Sequence, residues 1–180
     1  MNQVIFISGT PCVGKTTLAS ELSKRLGANL VRVNELAISN DLVLGIDNKK
    51  GYKIIDIPEL DVVLGEIIDN LDSDKLLIVE GHLSHLCNGA DKVIILRVHP
   101  SILEERLAGR KYSDSKIREN LEAEALDVCG AEAYEAYGED VCEIDVSDLS
   151  IDETINLVDV IFDKKDFPFG VIDFMDWLIG

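Results

Sequence analysis

The sequence has few cysteines and no long apolar run. Its four cysteines lie far apart, without a C-x-x-C pair, which argues against a zinc site and favours reduced thiols. No segment approaches the ~18 consecutive apolar residues that cross a membrane. The sequence also begins with a strand-like run instead of the charged and then apolar leader of a signal peptide. We therefore expect a cytoplasmic protein that does not associate with a membrane.

Basic residues are scarce as well. Lysine and arginine total 17 against 34 aspartates and glutamates, so the formal net charge is −17. An acidic surface repels nucleic-acid backbones, which disfavours strong direct binding of RNA or DNA. Two explanations for the charge stay open. It keeps the surface well solvated, or it attracts a basic protein partner.

Near its start the sequence contains a phosphate-binding pattern. The stretch "VIFISGTPCVGKTT" holds G-x-x-x-x-G-K-[ST], formed by Gly9, Gly14, Lys15 and Thr16, which is the P-loop pattern. Such a loop points consecutive backbone N–H groups at an anion, and the helix that follows adds its positive end. We expect Lys15 at the exposed mouth of the loop, reaching the β- and γ-phosphates, and the Thr16 hydroxyl on Mg²⁺.

Apolar runs and helical patterns alternate along the rest of the chain. The predicted strands are Val4–Ile7, Asn29–Val33, Leu76–Val79, Lys92–Arg97 and Val141–Val146. This alternation predicts an α/β fold, with a parallel sheet and helices on both faces, in a single domain over residues 1–180. We further predict a mobile loop at 40–52. One long helix after residue 114 is expected to carry Ile117, Leu121, Ala125 and Val128 on one face.

Glu80 and His82, at the end of the third predicted strand and in the loop that follows it, are candidate functional residues. Glu80 ends this strand, where P-loop proteins place a carboxylate that helps to hold Mg²⁺, although a polar residue at a strand end is also common. His82, in the loop that follows, would orient water or a phosphate, or it is an ordinary surface histidine.

Arginines are the second group of candidates. Phosphoryl transfer spreads negative charge over equatorial oxygens, so a kinase needs mobile cations that close over them. Arg106 and Arg110 lie four residues apart, where a helix ends and a short polar segment begins. Arg97 ends the fourth strand, at the sheet edge where open α/β sheets bind ligands.

Other P-loop classes fit less well. A GTPase carries N-K-x-D, whereas the "NKK" at residues 48–50 is followed by Gly51. Helicases and large ATPases need a longer chain. A small-molecule kinase is the natural class for this length.

The apolar tail 167–180 either packs as a final helix or docks a partner.

Several segments resemble the adenylate kinase isoenzyme 6 family of archaea and eukaryotes. The segments that carry the resemblance are "GTPCVGKTT", "VNELA", "VEGH" and "ERLAGRKYSDSKIREN". The last is the most specific to the family, with Arg110, Tyr112, Lys116, Asn120 and Glu124. The similarity runs from about residue 4 to 162.

The resemblance implies a P-loop nucleoside monophosphate kinase fold with a five-stranded parallel sheet and a short lid. It implies ATP and AMP as substrates, Mg²⁺, and slow ATP hydrolysis as a side activity. It also implies a role in maturation of the small ribosomal subunit, through a basic ribosomal protein. The AMP-side segment would be about 32–56 and the lid about 109–119. By position, the implied nucleotide contacts are Gly9, Cys12, Gly14, Lys15, Thr16, Thr17 and Arg110.

Two residues depart from the family pattern. The family usually has glycine in place of Cys12 and aspartate in place of Glu80. A side chain at position 12 is compatible with the loop if φ stays negative. Glu80 is one methylene longer than aspartate, which brings direct contact with Mg²⁺ within reach. The AMP-side segment is poor in arginine. Two alternatives therefore stay open, namely an ATPase assembly factor that grips a basic ribosomal protein, and a kinase for another small acceptor.

Overall fold

The structure, a computed structural model, describes residues 3–47, 52–110, 112–164 and 168–179. The strands are β1 Gln3–Ser8, β2 Asn29–Arg32, β3 Val43–Ile46, β4 Lys53–Ile55, β5 Leu76–Glu80, β6 Lys92–Arg97 and β7 Val141–Asp145. The helices are α1 Lys15–Leu26, α2 Val33–Ser39, α3 Ile57–Asp69, α4 Pro100–Ala108, α5 Asp114–Ala125, α6 Val128–Tyr137, α7 Ile151–Lys164 and α8 Asp176–Ile179. Short 3₁₀ turns cover Ser84–Leu86 and Gly138–Asp140.

Five strands form one parallel sheet in the order β2-β5-β1-β6-β7. The central strand β1 is buried on both faces, as its unbroken apolar run predicts. Its alternate residues face two cores. Ile5 and Ile7 pack with α1, α4, α5 and α7, whereas Val4 and Phe6 pack with α2, α3 and α6. The prediction of a five-stranded parallel sheet with helices on both faces is confirmed.

The connections bring the candidate residues to one edge of this sheet. The P-loop follows β1, Glu80 ends β5 and Arg97 ends β6. Ile7 on β1 lies opposite Glu80, and Arg32 on β2 flanks Glu80 on the other side. Because all five strands are parallel, their carboxyl ends meet, and this is where open α/β sheets bind ligands.

The prediction of one long helix after residue 114 is wrong, because the chain breaks the helix at Asp127. Asp127 has φ 53°, in the left-handed region, where an α-helix cannot continue. Its carboxylate accepts a hydrogen bond of 3.2 Å from the Gly130 N–H and so caps the new helix α6. Val128 then starts α6 and is 37% exposed, instead of sharing the buried face of Leu121 and Ala125.

The prediction of a mobile loop at 40–52 is also wrong in part. Residues Val43–Ile46 form strand β3, which pairs antiparallel with β4. Val43 lies opposite Ile55, and Ile46 lies opposite Lys53. The predicted loop residues 48–51 lie outside the described part of the chain. The strand was missed because its pairing partner begins after the polar, glycine-containing stretch that suggested a loop.

The apolar tail packs against the body of the protein over its described residues. The carbonyl of Pro168 accepts a hydrogen bond of 2.8 Å from the Glu143 N–H. Phe169 stacks on Tyr134 with ring centres 4.6 Å apart, and Phe174 is 8% exposed. The helix in the tail, α8, is a single short turn. In the described ranges, no helix combines the length and the apolar character needed to cross a bilayer.

Candidate active site

The P-loop joins β1 to α1 and requires glycine at its first position. Gly9 has φ 129°, and a Cβ there would lie 2.5 Å from the Leu96 carbonyl oxygen. Gly14 has φ 116° and caps α1 in the left-handed region. Neither conformation suits a side chain. The strand–loop–helix context that the P-loop pattern needs is therefore present.

Cys12 adopts a conformation that its sequence context did not suggest. Its φ is +73°, so the condition of a negative φ, under which a side chain is compatible with the loop, is not met. For a residue with a Cβ, the left-handed region costs about 1–2 kcal/mol. The loop therefore imposes at position 12 a backbone geometry that favours glycine.

The Lys15 side chain folds back into the loop. It is 8% exposed, and its Nζ donates hydrogen bonds of 2.8 Å to the carbonyls of Gly9 and Thr10. The expectation that Lys15 lies at an exposed mouth is wrong, because these two carbonyls hold the ammonium inside. Burial lowers the pKa of Lys15 to about 8, although nearby negative groups including Glu80 oppose the change. The ammonium is thus poised to exchange loop carbonyls for phosphate oxygens.

Thr16 and Glu80 offer a pair of oxygens that suits Mg²⁺. The Thr16 hydroxyl donates to the Glu80 carboxylate, at 3.2 Å from Oε1 and 3.3 Å from Oε2. Adjacent oxygens around Mg²⁺ lie about 2.9 Å apart, given metal–oxygen distances of about 2.0–2.1 Å in an octahedron. Among the described residues, no cluster of three or more His, Cys, Asp or Glu side chains could hold a metal alone. The pair therefore fits a Mg²⁺ ion that takes its other ligands from phosphates and water.

Six of the seven predicted nucleotide contacts, all except Gly9, line one cavity of about 350 Å³, here called the first cavity. Its seven lining residues are Cys12, Gly14, Lys15, Thr16, Thr17, Arg106 and Arg110. Arg106 Nη1 donates a hydrogen bond of 3.2 Å to the Val13 carbonyl, which attaches α4 to the P-loop. Arg110 is exposed, just after α4. The two arginines thus have different surroundings, although sequence spacing suggested a matched pair.

A second cavity, of about 730 Å³, adjoins the first and shares Cys12, Lys15, Thr16 and Arg110 with it. Both segments implied by the family resemblance contribute to its walls. Residues from 32–56 in the lining are Asn34, Ile38, Tyr52, Lys53 and Ile55, and those from 109–119 are Arg110, Tyr112 and Lys116. Among the described lining residues, four are cations and only Glu80 is a carboxylate. In a chain of net charge −17, such a lining selects an anion.

Sequence reasoning did not single out Tyr52, Lys53 and Lys116 as residues that line the second cavity. The Lys116 Nζ lies 4.2 Å from the ring centres of both Tyr52 and Tyr112, and the Tyr52 hydroxyl contacts Glu119 at 3.3 Å. Tyr52 precedes β4, and Lys116 lies on α5. These contacts therefore join the β3–β4 pair to the predicted lid at 109–119. Lys116 was present in the family-specific motif, but Lys53 had no signal because its hairpin was not predicted.

His82 and His85 occupy different environments. His82 lines the second cavity, where burial and the charge of Lys15 lower its pKa to about 4, so its imidazole is neutral at pH 7. His85 is buried, with Nδ1 2.7 Å from the Ser8 hydroxyl and Nε2 2.9 Å from Glu132. His85 therefore joins β1 to α6 inside the protein, and His82 is the histidine available to a ligand.

Arg97 does not reach either cavity. It is 1% exposed, and its guanidinium forms ion pairs with Glu124 at 2.9 Å, Glu143 at 2.6 Å and Asp127 at 2.8 Å. These carboxylates raise its pKa against the opposing effect of burial. The hypothesis that Arg97 contacts a ligand is not supported, because its donors are turned into the protein.

Comparison with known proteins identifies relatives along nearly the whole chain. The family described as "AAA domain" matches residues 5–127. A Methanothermobacter thermautotrophicus protein named "Putative adenylate kinase" is 45% identical over 98% of this chain and 100% of its own length. A protein of the same name from Methanocaldococcus jannaschii is 36% identical over 96% of this chain and 93% of its own length. The chain belongs to the family of these proteins. The family resemblance inferred from the sequence is confirmed.

Solved structures agree on the fold. Shikimate kinase from Bacteroides thetaiotaomicron superposes with a TM-score of 0.62, covering 89% of this chain and 98% of that protein, at 15% identity. The Bacillus subtilis YorR protein, solved in complex with phosphorylated GDP, gives a TM-score of 0.61 over 91% of this chain and 97% of that protein, at 19% identity. At this identity the likeness concerns the fold, which is that of P-loop kinases.

Proposed function

We propose that the protein is an adenylate kinase-type phosphotransferase that converts ATP and AMP to two ADP. The observation that carries this proposal is the junction of the two cavities at Lys15, Thr16 and Arg110. A kinase has to hold a donor and an acceptor in line, with cations where they meet. The first cavity suits the phosphates of ATP, and the cationic second cavity suits an acceptor that is itself an anion, such as AMP. The names of the relatives support the same substrates.

The residues of this chain would act mainly by position and charge. Backbone N–H groups of the P-loop hold the ATP phosphates, and Lys15 leaves the carbonyls of Gly9 and Thr10 to pair with them. A phosphate oxygen of AMP attacks the γ-phosphorus, the bond to the β,γ-bridging oxygen breaks, and ADP leaves on each side. Arg110, at the junction, stabilises charge on the transferring group. Mg²⁺, held by Thr16 and Glu80 together with the phosphates, would neutralise charge on the β- and γ-oxygens.

A slow ATPase activity is the second candidate function, and the neutral His82 favours it. A neutral imidazole in the second cavity has a lone pair that can accept a hydrogen bond from a water molecule and so orient it. Without an acceptor, water in the same cavity would be the competing nucleophile. A basic small-subunit ribosomal protein as the partner that controls this hydrolysis remains a prediction from the sequence.

The products of the reaction distinguish these functions. ADP and inorganic phosphate are measured with ATP and Mg²⁺ alone, then with AMP, and then with a basic ribosomal protein of the small subunit. Phosphoryl transfer to AMP yields two ADP per ATP without phosphate, whereas hydrolysis yields one ADP and one phosphate. We expect AMP to raise ADP formation steeply, and Lys15→Met to abolish the rise. If ADP formation is the same with and without AMP, the adenylate kinase proposal is wrong.

A further inference from the structure

The carboxylate of Glu124 joins three parts of the fold around the P-loop. Glu124 lies near the end of α5 and is 2% exposed. One of its oxygens accepts hydrogen bonds from Arg97 Nε at 2.9 Å and from the Val98 N–H at 3.0 Å. The other accepts a short hydrogen bond from the hydroxyl of Thr10, a buried residue inside the P-loop. Glu124 thus connects α5, the end of β6 and the P-loop.

Arg97 extends this connection to the C-terminal tail. Its Nη2 donates to the Glu124 carbonyl at 2.7 Å, and its Nη1 pairs with Glu143 at 2.6 Å. The second carboxylate oxygen of Glu143 accepts a hydrogen bond of 2.8 Å from the Gly170 N–H. The Phe174 ring covers the guanidinium, with its centre 5.2 Å from Arg97 Cζ. The tail therefore closes the buried ion cluster from outside.

The same P-loop residue that contacts Glu124 also holds the lysine of the site. The Thr10 carbonyl is one of the two that accept from Lys15 Nζ. A fixed Thr10 side chain fixes the direction of this carbonyl, and with it the starting position of the Lys15 ammonium. Buried hydrogen bonds to charged groups are among the stronger ones in proteins, so this restraint is substantial.

We propose that Glu124 is a positioning residue for the P-loop, and that Arg97, together with Gly170 and Phe174 of the tail, holds Glu124 in place. Glu124 touches neither cavity, so it acts through Thr10 and Lys15 and not on a substrate. This inference rests on the proposed function in one respect only, namely that Lys15 handles the phosphates of ATP.

Substitutions at Thr10 test the first part without removing a buried charge. Thr10→Val keeps the shape of the side chain but cannot donate to Glu124, whereas Thr10→Ser keeps the hydroxyl. We expect Thr10→Val to raise the Kd of ATP by about tenfold and to lower kcat, in line with a lost hydrogen bond to a charged group. Thr10→Ser should restore most of both. Thr10→Val should lower Tm whether the contact of Thr10 with Glu124 is structural or positions the P-loop, so Tm does not distinguish these two roles. An unchanged ATP Kd in Thr10→Val, measured well below its Tm, would overturn the proposal.

A double-mutant cycle tests the connection to the tail. Phe174→Ala uncovers Arg97, and Val171→Ala is the matched control, since Val171 is 73% exposed in the same segment. We expect Phe174→Ala to raise the Kd of ATP several-fold in the wild-type background and to add little to Thr10→Val, because both changes act on one network. Val171→Ala should change nothing. If Phe174→Ala has no effect, or the same fold effect in both backgrounds, the tail does not act through Glu124.

The deciding measurement, the Kd of ATP, is independent of the acceptor. The ATP Kd is measured without AMP, so a failure of AMP to stimulate ADP formation would overturn the proposed function and leave this inference standing. Conversely, normal ATP binding in Thr10→Val would overturn the inference and leave the proposed acceptor untouched.

Discussion

The Thr16 hydroxyl donates a hydrogen bond of 3.2 Å to Oε1 of Glu80, although the two residues lie 64 positions apart. If this pair holds Mg²⁺, Glu80→Gln should raise the Mg²⁺ concentration for half-maximal ADP formation by about tenfold or more, because an amide is a weaker, uncharged ligand. Glu80→Asp is the matched control. It keeps a carboxylate at this position and should keep most activity. A Mg²⁺ titration of ADP formation checks this prediction. Equal half-saturation for wild type and Glu80→Gln would exclude Glu80 from the metal site.

The depressed pKa of Lys15 predicts how activity depends on pH. Its pKa is lowered to about 8, so the lysine is charged below this pH and loses its charge above it. We expect kcat/KM for ATP to fall above about pH 8, approaching tenfold per pH unit, since this parameter reports free-enzyme ionisations. Once ATP is bound, its phosphates should raise the pKa, so kcat should fall at higher pH than kcat/KM. If kcat/KM stays level up to pH 10, Lys15 retains its proton and the prediction is wrong.

Arg106 and Arg110 should differ when each is replaced by alanine. Arg110 lines both cavities, so Arg110→Ala should lower kcat by at least about 100-fold with a small change in ATP Kd. Arg106 lines the first cavity and binds the Val13 carbonyl, so Arg106→Ala should mainly raise the ATP Kd. Steady-state kinetics and an ATP titration of both variants separate the two effects. A larger loss of kcat in Arg106→Ala than in Arg110→Ala would contradict these roles.

Cys12→Gly should stabilise the protein, because φ at this position is +73°. Glycine removes the left-handed strain but increases the entropy of the unfolded chain, so the comparison is made with Cys12→Ala, which keeps the strain. We expect Cys12→Gly to exceed Cys12→Ala in free energy of unfolding by about 1 kcal/mol, or about 2–4 °C in Tm. Thermal unfolding of the two variants provides the measurement. A lower Tm for Cys12→Gly than for Cys12→Ala would show that the added entropy of the unfolded chain outweighs the relief of strain at this position.

Asp127 predicts a pH dependence of stability. Burial and the neighbouring Glu143 and Glu124 raise its pKa to about 7, even though Arg97 Nη1 lies 2.8 Å away. The folded state therefore holds a proton that the unfolded state releases near pH 4, and this contribution to stability is lost as the pH rises towards 7. Asp127→Asn keeps an oxygen for the Gly130 N–H and tolerates φ 53°, but it cannot titrate.

Thermal unfolding of wild type and Asp127→Asn between pH 5 and pH 8 checks this dependence. Relative to the Tm of wild type, the Tm of Asp127→Asn should rise by about 3 °C or more between pH 5 and pH 8. A constant difference over this range would show that Asp127 is ionised throughout.

Local patterns in the sequence determined the P-loop and the class of fold. The motif from Gly9 to Thr16 is contiguous, and its flanking runs fix a strand on one side and a helix on the other. Apolar spacing along each later segment distinguished most strands from helices, since strand and helix periods differ. The five-stranded sheet and most of the first cavity follow from these local features, because neighbours in sequence supply them.

The tertiary structure decided which charged residues line the two cavities. Arg97 and Lys116 are both cations near the sheet edge, but Arg97 pairs with carboxylates 27 to 46 positions later in the chain, whereas Lys116 lines the second cavity. No local pattern encodes such distant pairing. The left-handed Cys12, the buried ammonium of Lys15 and the break at Asp127 were likewise set by packing and hydrogen bonds between elements, which arise only once the chain has folded.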